Sequence, residues 1–167
     1  MNSERSLYPR MVISLLALLG LLVSGYLALT RFFPRVSLVC LVGSGCDIVQ
    51  RSPWSTIPPG GGIPISVIGI VGYVFLLGWS LLALQTDHMG NLVLPFWFLL
   101  ITSVGLVFSI YLFLVQRFMI QAFCTWCVIS GILMIGIWVA ALLDWRDWQR
   151  ITQHSTSPSM EATQRAG

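Results

Sequence analysis

Four long uncharged blocks, mainly apolar, alternate with polar segments along this chain. They run from Met11 to Thr30, Ile63 to Leu84, Leu92 to Val115 and Ala122 to Leu143. A helix that crosses a bilayer needs about 20 apolar residues, and each block is long enough. The pattern predicts an all-α membrane protein, a four-transmembrane-helix bundle with a long extracytoplasmic loop between helices 1 and 2. The first block is too long for the apolar core of a signal peptide, and no small-x-small cleavage site precedes the loop. Pro95 falls in the first turn of the third block, where it costs a helix nothing. Glycines recur through the blocks, and small residues let membrane helices approach closely. Residues 1–10 form a short segment on the terminal side, residues 11–143 the membrane domain, and residues 144–167 a polar tail expected to be disordered from Ser155 onward.

Arg31 to Gly62 is a long connection; Gln85 to Asn91 and Gln116 to Phe123 are short. Four crossings place both termini on one side. The long loop and the Gln116–Phe123 loop then share the other. Cys40 and Cys46 lie in the long loop, and Cys124 and Cys127 open the fourth block. Parity alone therefore gathers all four cysteines at one membrane surface.

The composition agrees with a bilayer protein: 56% of residues are apolar and 9% charged, against roughly a quarter charged in soluble domains. Every basic residue is an arginine, and the arginines are scattered singly, which leaves no nucleic-acid patch. The positive-inside rule gives no orientation. Arg5, Arg10, Arg146 and Arg150 flank the terminal side, and Arg31, Arg35, Arg51 and Arg117 the other. Cysteine chemistry decides instead. Two close pairs suit an oxidising compartment, so the cysteine face is expected to be extracytoplasmic and both termini cytoplasmic.

The pairs are "CLVGSGC" and "CTWC". Gly43 and Gly45 allow the first to turn tightly enough for a disulfide. Closing the two loops would stabilise the chain by about 2.4 and about 1.9 kcal/mol in the chain-entropy model. A purely stapling role would gain more from linking distant segments. A structural zinc site would need a second half-site, but the C-x5-C spacing is wide and no histidine is near. Cys124 falls in the first turn of a helix, where the dipole favours a thiolate. Cys127 lies about 4.5 Å deeper at helical rise. Cys124 is thus expected to face water and the loop, and Cys127 the lipid. Net disulfide formation needs an electron sink. Neither histidine lies in a span, so no haem is suggested, and no G-x-G-x-x-G run suggests flavin or nicotinamide. The sink that remains is dissolved in the bilayer, and a quinone fits best.

Other residues invite a role. Trp54 stands where it could cover a quinone or anchor at the interface. Trp126, inside the CxxC, could face lipid or quinone. Arg51 and Arg117 could raise the thiolate population or be solvated flanking charges. Asp47 adjoins Cys46 and could cap a short loop helix.

The residues together resemble the bacterial vitamin K epoxide reductase (VKOR) family, in its stand-alone form without a fused thioredoxin domain. "CLVGSGC" looks like the family's loop pair. "GCDIVQRS" looks like the segment that carries a serine after the second loop cysteine, here Ser52. "GIPISVIGIVGY" looks like the start of the second span, and "CTWC" like the active-site pair. The resemblance covers about Met11 to Leu143. It implies a membrane thiol oxidoreductase that takes electrons from a separate periplasmic thioredoxin-fold, DsbA-like protein. Electrons pass to Cys40 and Cys46, then to Cys124 and Cys127, then to a membrane quinone, ubiquinone or menaquinone, without metal, haem or flavin. Cys40 would meet the partner, Cys46 would exchange with Cys124, and Cys127 would contact the quinone. Ser52 would hydrogen-bond near the quinone, and Trp54 is a further candidate to line its site.

Two departures qualify the resemblance. "PWSTIPPGGGIPIS" is longer than the family's usual link to the second span. Gly131 stands where the vertebrate enzymes carry a tyrosine, which weighs against epoxide reduction. Three rivals remain in view. A DsbB-type oxidase also has four spans and four cysteines, but with the order of its pairs reversed. The others are a vitamin K epoxide reductase in the strict sense and a non-catalytic membrane subunit with structural cysteines.

Overall fold

The computed structural model describes residues 3–33, 39–40, 45–85 and 93–165. Gly43, Arg35 and His88 lie outside them. Four long helices dominate: α1 (Ser3–Phe32), α3 (Ile65–Gln85), α4 (Val93–Val115) and α5 (Thr125–Arg165). They supply four stretches long and apolar enough to cross a membrane: Arg10–Phe32, Ile65–Leu82, Phe96–Ile120, which runs past the end of α4, and Thr125–Asp147. The long connection carries a short helix α2 (Gly45–Arg51), a 3-10 turn (Pro53–Ser55) and a hairpin of β1 (Thr56–Ile57) with β2 (Ile63–Pro64). The strands are antiparallel, with Thr56 opposite Pro64 and Ile57 opposite Ile63.

Helix α1 packs on both α3 and α5, and α4 packs on α5. The main core joins Ile13 and Ala17 of α1, Tyr73 and Leu76 of α3, Phe98 of α4, and Met134, Ile137 and Ala141 of α5. These positions recur at three and four residues, one stripe per helix. Close approach depends on small residues. A side chain on Gly20 would overlap the Tyr73 ring, so its absence lets α3 lean on α1. Outside the stripe the helices stay apolar: Leu15, Leu18 and Leu22 of α1, and Leu100, Val107 and Leu114 of α4, are exposed. Helices apolar all round are membrane spans or deeply buried, and these face outward, as lipid contact requires. Polar groups inside the bundle are hydrogen-bonded, as a low-dielectric interior demands. Trp138 donates its indole N–H to Ser103 Oγ at 3.0 Å. At the terminal end Arg10 pairs with Asp144 at 3.4 Å.

The observed elements differ from the expected ones in three places. Ile63 and Pro64 belong to β2, so the second span begins at Ile65. The third span runs on past Val115 into one turn of π-helix, Gln116–Ile120, where a loop was expected. The turn ends at Gln121, which takes left-handed angles with φ 54°. The segment from Ser155, expected to be disordered, continues α5 to Arg165. Its Glu161, Ala162, Gln164 and Arg165 favour helix, and extending an existing helix avoids the cost of nucleation.

Candidate functional site

Helix α2 lies across the loop end of α5. Gly45 opens α2, and any side chain there would overlap the Phe123 carbonyl. The close approach brings Cys46, the next residue, down beside Cys124, the residue after Phe123. Cys46 and Cys124 are both completely buried. They share one apolar cluster with Leu27 and Val49, and Cys40 and Cys127 pack against it. All four cysteines therefore gather at one end of the bundle. Cys40 and Cys46 form a disulfide with their Cα atoms 6.0 Å apart, and Cys124 and Cys127 are free thiols.

Cys124 immediately precedes α5 and its carbonyl accepts from Val128 N–H at 3.0 Å. That makes it the residue that caps the helix. The thiol Sγ accepts from Cys127 N–H at 3.4 Å. Cys124 lies just outside the span Thr125–Asp147. Its thiol is lowered to about 7, first by a hydrogen bond from the Cys127 thiol, with burial opposing and the N–H groups of Cys127 and Trp126 assisting. The exposures correct one expectation. Cys124 does not face water: α2 covers it, and it faces the loop disulfide. Cys127 is the sulfur with an open side.

That side is a cavity of about 840 Å³ between α3, α4 and α5. Its size falls within the range of small-molecule sites. Its walls are mainly apolar, with Ile68, Val71 and Phe75 from α3, Val104 and Phe108 from α4, and Gly131 and Ile135 from α5. Its loop end is polar, with Arg31, Gln50, Ser55, Gln116 and Cys127. Trp54 is half-exposed and lines it. Ser52 is not a lining residue. Its Oγ accepts from Trp54 N–H at 3.3 Å, so it caps the 3-10 turn that presents Trp54. Arg51 pairs with Asp47 at 2.9 Å, both exposed.

Two further groups of residues organise the site. Gln116, in the π turn, is buried, and its amide oxygen accepts from Cys124 N–H at 3.1 Å. Nothing in the sequence pointed to it, because its partner lies across a turn whose shape the sequence pattern does not show. Tyr26 and Trp126 hold the residue before Cys40. Val39 N–H donates to the Tyr26 hydroxyl at 3.1 Å, and Trp126 donates its indole N–H to Val39 O at 2.8 Å. The two rings lie 5.1 Å apart. The tryptophan inside the CxxC thus turns toward the loop pair, neither to lipid nor into the cavity. No group of three or more metal-ligating side chains occurs among the described residues.

Residues 11–142 match the sequence pattern of the vitamin K epoxide reductase family. The match takes in both cysteine pairs and nearly all of the four spans. The chain belongs to that family and is a membrane thiol oxidoreductase.

Proposed function

We propose that this member of the vitamin K epoxide reductase family passes electrons from a periplasmic thioredoxin-fold, DsbA-like protein through its two cysteine pairs to a membrane quinone, and so sustains disulfide formation. The observation that carries the reading is the burial of Cys46 against Cys124 while Cys127 opens into the cavity. A staple has no need of a free dithiol packed on a disulfide, nor of a cavity beside it.

The chemistry follows the geometry. The partner's thiolate attacks Cys40, which is half-buried against the cysteine cluster, and releases Cys46. The partner's second thiol resolves that mixed disulfide and leaves the loop pair reduced. Cys46 then exchanges with a Cys124–Cys127 disulfide through a Cys46–Cys124 bond. Attack by Cys40 on Cys46 restores the loop disulfide and frees the CxxC thiols. The quinone takes two electrons and two protons from these thiols and becomes a hydroquinone, and the CxxC disulfide is restored. Trp54, placed by Ser52, closes the loop end of the cavity over the ring. Gly131 brings no phenol to the wall, in keeping with a quinone rather than an epoxide as acceptor. The cysteine end faces the periplasm and both termini the cytoplasm.

The test is a paired titration. Purified protein is reduced, freed of reductant and mixed with ubiquinone or menaquinone. The reading expects quinone absorbance and free thiols to fall together, one thiol pair for each quinone reduced. Thiols that persist beside unchanged quinone would leave only a structural role for the cysteines.

A further inference from the structure

The cavity has a second polar point below its loop end. Ser130 follows Cys127 by three residues on α5, so the two side chains share one helix face about 4.5 Å apart along the axis. Both line the cavity. Across from Ser130, the Tyr73 hydroxyl donates to the Ser130 carbonyl at 3.0 Å and lies 2.8 Å from Ser130 Oγ. Tyr73 has one proton to give, and the carbonyl takes it. The proton on Ser130 Oγ is therefore free to turn either to the Tyr73 oxygen or to a ligand. Turning to a ligand exchanges one neutral hydrogen bond for another and leaves the Tyr73 donor satisfied. Beside Ser130, nothing lies within 4 Å of where a Gly131 side chain would begin, so the wall is recessed there.

We propose that Ser130, its hydroxyl set by the phenol of Tyr73, donates the hydrogen bond that holds a carbonyl of the quinone ring beside Cys127. The inference rests on the quinone reading above. A ring lying along this face spans the step from sulfur to hydroxyl. Ser130 touches the substrate, and Tyr73 is a positioning residue. Ser130 supplies a hydrogen bond and no net proton. Both electrons come from the two thiols, whose sulfurs join as the disulfide, and the two protons they release end on the hydroquinone. The hydrogen bond strengthens as charge develops on the carbonyl oxygen, which is how a preorganised donor speeds such a step.

The experiment uses the full chain in detergent, chemically reduced, with menadione and a short-chain ubiquinone as probes. Ser130→Ala should lower kcat/KM about tenfold or more, and Ser130→Thr, which keeps the hydroxyl, should restore most of it. Tyr73→Phe should cost less, and should add nothing in the Ser130→Ala background, the mark of two residues acting as a unit. Infrared difference spectra of bound quinone should show one carbonyl band shifted in the parent and unshifted in Ser130→Ala. A purely structural role would leave that band alone. Equal kcat/KM in Ser130→Ala and the parent overturns the inference while the quinone reading stands, as does an equal loss in Ser130→Thr. If the parent itself leaves every quinone unreduced, both fall.

Discussion

The side-chain oxygen of Gln116 accepts the backbone N–H of Cys124 at 3.1 Å. A helix leaves its first N–H groups without partners, and here a residue on the preceding π turn supplies one. The same bond ties the end of the third span to the first cysteine of the fourth. Gln116→Leu would leave a buried N–H unpaired, at a cost of about 1–3 kcal/mol. It would also free Cys124 to shift relative to Cys46. The expected outcome is a lower unfolding midpoint in detergent together with slower thiol exchange. Gln116→Glu keeps the acceptor oxygen but buries a carboxyl, so it should recover most of the unfolding midpoint only at a pH low enough to protonate that carboxyl. Equal midpoints for Gln116→Leu and the parent would contradict this role.

Gly45 permits the contact between α2 and Phe123 on which sulfur exchange depends. Its neighbour there is backbone, which cannot swing aside as a side chain can. Gly45→Ala should cost about 1–3 kcal/mol, as overpacking does, and push Cys46 away from Cys124. Quinone reduction driven by a small dithiol that reaches the CxxC should persist. Oxidation of a thioredoxin-fold protein substrate should slow. Comparison of the two rates in one preparation checks it, and an equal effect on both would argue against the geometry.

The four spans were readable because length and lack of charge identify a bilayer helix without any knowledge of packing. Parity then placed the four cysteines together. What was hidden was set by contacts between distant residues. Trp126 turns to Val39, far from it in sequence, so nothing beside it in the chain reveals the bond. The second span began two residues late because Ile63 and Pro64 read as apolar yet pair with Ile57 and Thr56. Depth along the helix suggested a water-facing Cys124, but a short helix from the loop covers it. Ser52 follows Cys46 by six residues, as the resemblance has it, and its Oγ also accepts from Trp54 N–H, a bond that uses the hydroxyl as acceptor only.

Trp126 and Tyr26 hold both backbone polar groups of Val39, the residue before Cys40. Trp126→Phe keeps the ring and removes the N–H donor. Val39, and with it the position of Cys40, should then be held on one side only. Reaction of Cys40 with a thioredoxin-fold protein should change, while thiol-driven quinone reduction through Cys124 and Cys127 stays within about twofold of the parent, since a lost neutral hydrogen bond is worth only about 0.5–1.5 kcal/mol. Stopped-flow traces of both half-reactions would decide, and an unchanged first half-reaction would remove the role of the Val39 contacts.

The thiol of Cys124 is lowered to about 7, chiefly by the hydrogen bond from the Cys127 thiol. A lowered value favours the ionised form in the folded protein. The thiolate fraction should thus rise through pH 7 rather than near the ordinary 8.5, and its contribution to stability should be lost as pH falls through about 7. Ultraviolet thiolate absorbance of a variant lacking Cys40 and Cys46 should titrate with that midpoint. Cys127→Ala removes the donor, so the midpoint should move up. A midpoint that stays in place would assign the lowering to the helix end rather than to the neighbouring thiol.

The roles of the four sulfurs can be separated by where each substitution stalls the chain. Cys127→Ser leaves Cys124 with no sulfur to resolve it. Cys124 can still attack the loop disulfide at Cys46, and the Cys46–Cys124 bond so formed should accumulate, because of the two thiolates that release it, Cys40 on one side and Cys127 on the other, one is gone. Quinone reduction should stop, since no thiol then lines the cavity. Cys40→Ser removes the sulfur that meets the partner and frees Cys46. Quinone reduction by a small reductant such as dithiothreitol should survive, because Cys124 and Cys127 are intact. Oxidation of a thioredoxin-fold protein should cease, because its mixed disulfide has nowhere to form. The measurement is paired: disulfides mapped by mass spectrometry, and quinone absorbance, for both variants. Quinone reduction at the parent rate by Cys127→Ser would show that the sulfur open to the cavity is not the one that gives up the electrons, and the order of transfer from loop to bilayer would have to be redrawn.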